Sequence, residues 1–124
     1  MDSLREKLRR NAAPFLDTGE RIDAVVVAQR NPPAAKSFTG ADYVVLIATD
    51  KRILLCKGGA FRMSPVRKVL TQFPRDTKLG PVDEHLWHEY VLPLPVPVPV
   101  WIQRRFFKDV AEADVAQRQA ETSW

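Results

Sequence analysis

Cysteine occurs once in the 124 residues, at Cys56, and that scarcity removes several chemistries. A lone thiol forms no intramolecular disulfide and excludes a cysteine-based zinc cluster. It stands in the apolar run Ile53-Leu54-Leu55-Cys56, which points to a buried, inert side chain. Histidine appears only at His85 and His88. On a helix the two would share a face and could join Glu84 or Glu89 around a metal; on a strand they point to opposite faces. A strand starting near Leu86 is the reading here, so no metal site is expected. No apolar stretch approaches the roughly 18 to 20 residues of a membrane span. No apolar segment follows the charged opening MDSLREKLRR, so no secretory leader is expected, and the chain reads as cytoplasmic. Glycine is sparse, and Gly58-Gly59 lacks the Gly-Lys-Ser/Thr sequel of a phosphate loop. Ser3, Ser37, Ser64 and Ser123 stand in no nucleophile-elbow context. The chain is therefore expected to be no enzyme and to carry no cofactor.

What is present is ordinary globular material: 45% hydrophobic and 27% charged residues, enough for one domain over residues 1–124 with its own core. Charge is unevenly spread. The net charge is +4, yet residues 51–78 alone carry +7, because eight basic side chains there face Asp76 alone. Such a concentration creates a field of one sign over part of a surface.

Ser3 and Glu6 have capping-box spacing, and Leu4, Leu8 and Ala12 form a narrow apolar stripe, so a helix is expected over residues 1–13, ending before Pro14. Asp17-Thr18-Gly19-Glu20 reads as a turn. Extended segments follow over residues 15–103. Ile22–Arg30 is rich in β-branched residues, and residues 31–42, with Pro32, Pro33 and Gly40, read as a loop. Tyr43–Ala48 and Ile53–Lys57 form a hairpin around Thr49-Asp50-Lys51-Arg52. Gly58-Gly59 turns the chain into a fourth strand, Ala60–Met63, because paired glycines accept positive φ cheaply. Val66–Phe73 and Leu86–Leu92 are further strands, Thr77–Val82 is a short extended piece, and Asp83-Glu84-His85 is a turn. Over residues 104–120, Phe106, Phe107, Val110, Ala111 and Ala113 recur at helical spacing. Asp109, Glu112, Asp114, Arg118 and Glu121 form the expected wet face of that helix.

The segment LPLPVPVPVW sets prolines at 93, 95, 97 and 99. Successive N–H groups of a strand point to opposite edges, so this comb removes donors from one edge only. Leu94, Val96, Val98 and Val100 can then face the core while the segment pairs on one side, as an edge strand or a tightly packed extended connection. A polyproline ligand and a linker remain the rival readings.

The stretches LDTGERIDAVV, YVVLIATDKRILLCKGG and VWIQRRFFKDVAEAD resemble the bacterial pleckstrin-homology-like (PH-like) domain proteins. The matching positions are Leu16, Gly19, Glu20, Thr49, Asp50 and Arg52. The resemblance implies a mainly β fold: about seven antiparallel strands in two near-orthogonal sheets, with the last helix plugging one end of the barrel. It implies structural roles for the Thr-Asp-x-Arg turn, and binding of peptides, proteins or phosphoinositides rather than catalysis. The strand Tyr43–Ala48 carries no basic residue, which departs from the lipid-binding pattern of that group. The fold alone does not choose a ligand.

The expected binding surface is basic, formed by Lys51, Arg52, Arg62, Arg67, Lys68, Arg75 and Lys78. Its first candidate partner is an acidic protein segment, with a second copy of this chain as a variant of that reading. The alternative is an anionic membrane surface, peripheral to the inner face, reached by Arg5, Lys7, Arg9 and Arg10 together with the central patch. A nucleic acid, using Phe61 and Phe73 for stacking, ranks below both. A small enzyme or ligand-binding barrel ranks last.

Overall fold

The structure, a computed structural model, describes residues 3–30, 42–59, 62–82 and 86–122, with side chains as far as Val115. The elements in chain order are α1 (Leu4–Ala12), β1 (Ile22–Gln29), β2 (Tyr43–Thr49), β3 (Arg52–Lys57), β4 (Lys68–Pro74), β5 (Trp87–Leu92), β6 (Val98–Gln103) and α2 (Phe107–Thr122). Short 3-10 turns precede and follow them at Ala13–Phe15 and Arg104–Phe106. The capping box expected at the start of α1 is formed: Glu6 N donates to Ser3 Oγ (3.2 Å) and Ser3 N to Glu6 Oε2 (3.3 Å). Leu8 and Ala12, one turn apart, are fully buried.

The strands pair antiparallel in the order β4-β3-β2-β1-β6-β5 and curl into a half-barrel. Among the described residues there are six strands in one sheet, where about seven in two sheets were expected. The segment expected to supply a strand at Ala60–Met63 explains part of the difference. Arg62 and Met63 lie in an irregular connection, and Ala60 and Phe61 are outside the described residues. Thr77–Val82 is also irregular. The amides of Leu79 and Gly80 donate to the Asp114 carboxylate (3.1 Å each) instead of to a neighbouring strand. The expected 31–42 loop and the Asp83-Glu84-His85 turn fall almost wholly outside the described residues.

β1, β2 and β3 are buried on both faces, which explains their near-continuous aliphatic sequences. Register assigns the two faces. Val26, Ala28, Val44, Leu46, Ile53, Leu55, Val100 and Ile102 share one with Tyr90 and Leu92. Val25, Val27, Val45, Ile47, Leu54 and Cys56 share the other. α2 closes one end of the curl: Arg75, just past β4, donates to the Ala113 carbonyl (2.9 Å), and Phe107 meets His88 of β5 edge-on. The helix buries Phe106, Val110 and Ala113 as expected. It also buries Asp109 and Asp114, which were expected on its wet face. Both carboxylates have partners supplied from far away in the chain. Arg5 reaches Asp109 from α1 (2.9 Å), and the 79–80 backbone reaches Asp114. Arg118 and Glu121 lie outside the described side chains.

The proline comb is split. Residues 93–97 form a bent connection, in which Val96 is exposed rather than core-facing. Val98–Val100 is strand and pairs with β5 through Leu92↔Val98, Val91↔Pro99 and Tyr90↔Val100. β6 is not at the sheet edge, but its partner on the other side, β1, meets it only at Ala28↔Ile102 and Gln29↔Trp101. Among the described residues Pro99 has a cross-strand partner only in β5, at Val91.

Candidate functional site

Glu20, Thr49, Asp50 and Arg52 meet in one polar knot beneath the β2–β3 turn. Arg52 grips Glu20 with two hydrogen bonds of 3.0 Å, from Nε and a terminal guanidinium nitrogen. Thr49 donates its hydroxyl to Glu20 Oε2 (2.6 Å) and accepts from the amides of Lys51 and Arg52 (3.1 Å each). Asp17 N donates to Glu20 Oε1, and Asp50 accepts from Arg21 N. Gly19 makes the turn at φ 81°, a conformation that favours glycine. The Arg52 guanidinium, aided by Thr49 and the Asp17 amide, holds the Glu20 carboxyl down at about 2. Glu20 is fully buried at the centre of this knot, which braces the hairpin and the turn after α1.

Two of the seven expected surface cations thereby leave the surface set. Arg52 is committed to Glu20, Asp17 and Gln72. Arg75 is committed to Asp23 (3.1 Å) and the Ala113 carbonyl. Lys51 is exposed in the β2–β3 turn, and Lys78 is exposed beside α2. Arg62, Arg67 and Lys68 are exposed at the opposite end of the sheet. The expected patch is thus divided between two ends of the molecule. Of the cations expected to assist it, Arg5 is bound to Asp109 and Arg9 to the carbonyls of Ile22 and Asp23.

Arg62 and Arg67 line a shallow cleft of about 620 Å³, with Arg10 and Asn11 of α1 on the other wall. Asn11 ties the two walls by donating to the Ser64 carbonyl (2.7 Å). Lys68 continues this surface and lies directly opposite Lys57 across the β3–β4 ladder. Lys57 was not in the expected set; its place at the end of an apolar strand gave no sign that Lys68 would face it.

Among the described residues nothing fills the same end of the half-barrel. A groove of about 280 Å³ runs between the two margins of the curl. Val44, Leu55 and Leu70 line one side, and Leu92, Leu94 and Val98 the other. Arg30 lies at its rim, paired with Asp42 (3.4 Å). Lys57 follows Leu55 by two positions on the same face, so it and Lys68 rim the groove as well. No sequence pattern marked this groove, because its two sides come from β2–β4 and from β5–β6.

The thiol of Cys56 is fully buried, and burial pushes it up to about 11. His88 is half-buried with Nε2 3.3 Å from the Leu79 carbonyl oxygen, and His85 lies outside the described residues. Among the described residues no helix is long and apolar enough to cross a membrane. Comparison with protein-family models, with curated proteins and with solved structures finds no match for this chain.

Proposed function

We propose that this protein is a non-catalytic interaction module of PH-like type that binds an acidic protein segment. The observation that carries the reading is the grouping of Lys57, Arg62, Arg67 and Lys68 at one end of the sheet. All four are exposed, and none forms an ion pair among the described residues. Lys57 and Lys68 face each other directly, an arrangement that disfavours the free protein and that a negative partner relieves. A surface of this kind steers an acidic partner from a distance and loses strength as salt is added.

Retention on immobilised poly-glutamate at low and high salt tests the reading. The protein is expected to bind at low salt, to release at high salt, and to lose binding when Arg67→Glu and Lys68→Glu are combined. Retention unchanged by that double substitution overturns the basic-surface reading. Preferential sedimentation with phosphatidylglycerol vesicles, lost in the same variant, would instead favour the membrane alternative.

A further inference from the structure

We propose that the groove of the half-barrel receives the partner as an added strand, an extended segment laid along the edge of β4 that no described residue pairs. This rests on the reading of an acidic protein partner and gives it a place and a pattern. Three observations meet there. β4 ends the strand order and, among the described residues, pairs only with β3, leaving its outer backbone edge open. Such an edge is a template for another strand. Leu70 on that edge is 45% exposed and forms one wall of the aliphatic groove. Lys57 and Lys68 stand at the groove's rim with Arg30.

The occupant follows from strand geometry. Alternate side chains of an added strand point into the curl. One lying level with Leu55 and Thr71 meets aliphatic walls. The Lys57–Lys68 pair lies further along the same edge, past a bulge that sets Thr71 and Lys68 three residues apart on β4 where Leu55 and Lys57 are two apart on β3. The segment therefore carries an apolar residue and, two or three positions away, an Asp or Glu. Its backbone supplies hydrogen bonds to the β4 edge, its apolar side chain fills the groove and its carboxylate separates the two lysines. A hydrocarbon chain could fill the groove but would offer nothing to the backbone edge. The groove's volume of about 280 Å³ suits one or two aliphatic side chains, and lies at the small end of the roughly 300–1,000 Å³ of small-molecule pockets.

Selection of random peptides displayed on phage against the whole protein, followed by hydrogen exchange with a recovered peptide, tests this. The expected peptides pair an apolar and an acidic residue two or three apart. They slow exchange at the amides of the β4 edge. They lose at least tenfold in affinity with Leu70→Asp, with Lys68→Glu, or when the peptide backbone is N-methylated on its pairing edge. Leu70 is partly exposed, so Leu70→Asp is expected to fold; circular dichroism checks this, and the N-methylated peptide tests the same contact on unaltered protein. Acidic peptides that bind equally well to Leu70→Asp but are lost with Arg62→Glu would overturn the added strand and leave the acidic-partner reading standing. Recovery of no acidic peptide overturns both. Binding of oleate in the groove, with no peptide recovered, would assign it to a lipid instead.

Discussion

At the scale of single residues, three buried carboxylates, Glu20, Asp109 and Asp114, tie distant parts of the chain together. Glu20 is held at about 2 in the folded protein against an ordinary 4.5. A carboxyl depressed in this way adds stability above its unfolded value, and that contribution disappears as pH falls from 4.5 towards 2. With Arg52 partly in solvent the contribution is about 1–2 kcal/mol. Glu20→Gln is therefore expected to lower neutral-pH stability by that amount and to flatten the acid limb of a urea-denaturation profile. Asp114→Ala would leave the amides of Leu79 and Gly80 without their acceptor, at a cost of about 2 kcal/mol in the same assay. Cys56, raised by burial, is expected to resist alkylation at neutral pH until the chain unfolds, as mass spectrometry after iodoacetamide treatment would show. Thr49 was legible in the sequence because its turn is local, whereas Arg52 was expected at the surface and its partner Glu20 lies 32 residues away. Asp109 and Asp114 were not legible, because helical periodicity registers a charge but not the distant Arg5 or the 79–80 amides that admit it to the interior.

Among the elements, the helices, the central hairpin and the β5 strand could be read from caps, β-branched runs and spacing. The glycine pair after β3 was read as a hairpin turn, but it extends the pairing with Tyr43 of β2 and leads into an irregular connection. Neither Gly58 nor Gly59 adopts positive φ; both are small because backbone passes close by. A Cβ on Gly59 would sit 2.7 Å from the Arg62 carbonyl oxygen, so Gly59→Ala is expected to destabilise by about 1 kcal/mol or more in thermal melts. The prolines alternated as a strand should, but residues 93–97 bend between β5 and β6 and join no strand. Pro95→Ala is expected to cost only about 0.4–1 kcal/mol, through the freedom it returns to the unfolded chain, and to leave β5–β6 exchange protection intact. Lys68→Glu is expected to do the opposite of most surface changes. By replacing a like-charged cross-strand pair with an attractive one, it should raise thermal stability by about 0.5 kcal/mol while removing partner binding.

For the whole molecule, strand order and curl decide what is available to a partner. A charge count along residues 51–78 located a basic surplus, but folding turned Arg52 and Arg75 inward and sent Lys51 to the far end of the sheet. The groove was invisible for a related reason: it exists only because the two margins of the sheet approach each other. That approach depends on the join between β1 and β6, which among the described residues consists of Ala28↔Ile102 and Gln29↔Trp101. On one side lies a four-strand meander and on the other a two-strand hairpin, each well zipped within itself. The join is the fault line of the fold. On gentle heating, β5 and β6 should exchange their amide hydrogens together while β1 to β3 still hold theirs, because the hairpin can tear away along two rungs without unpicking the rest.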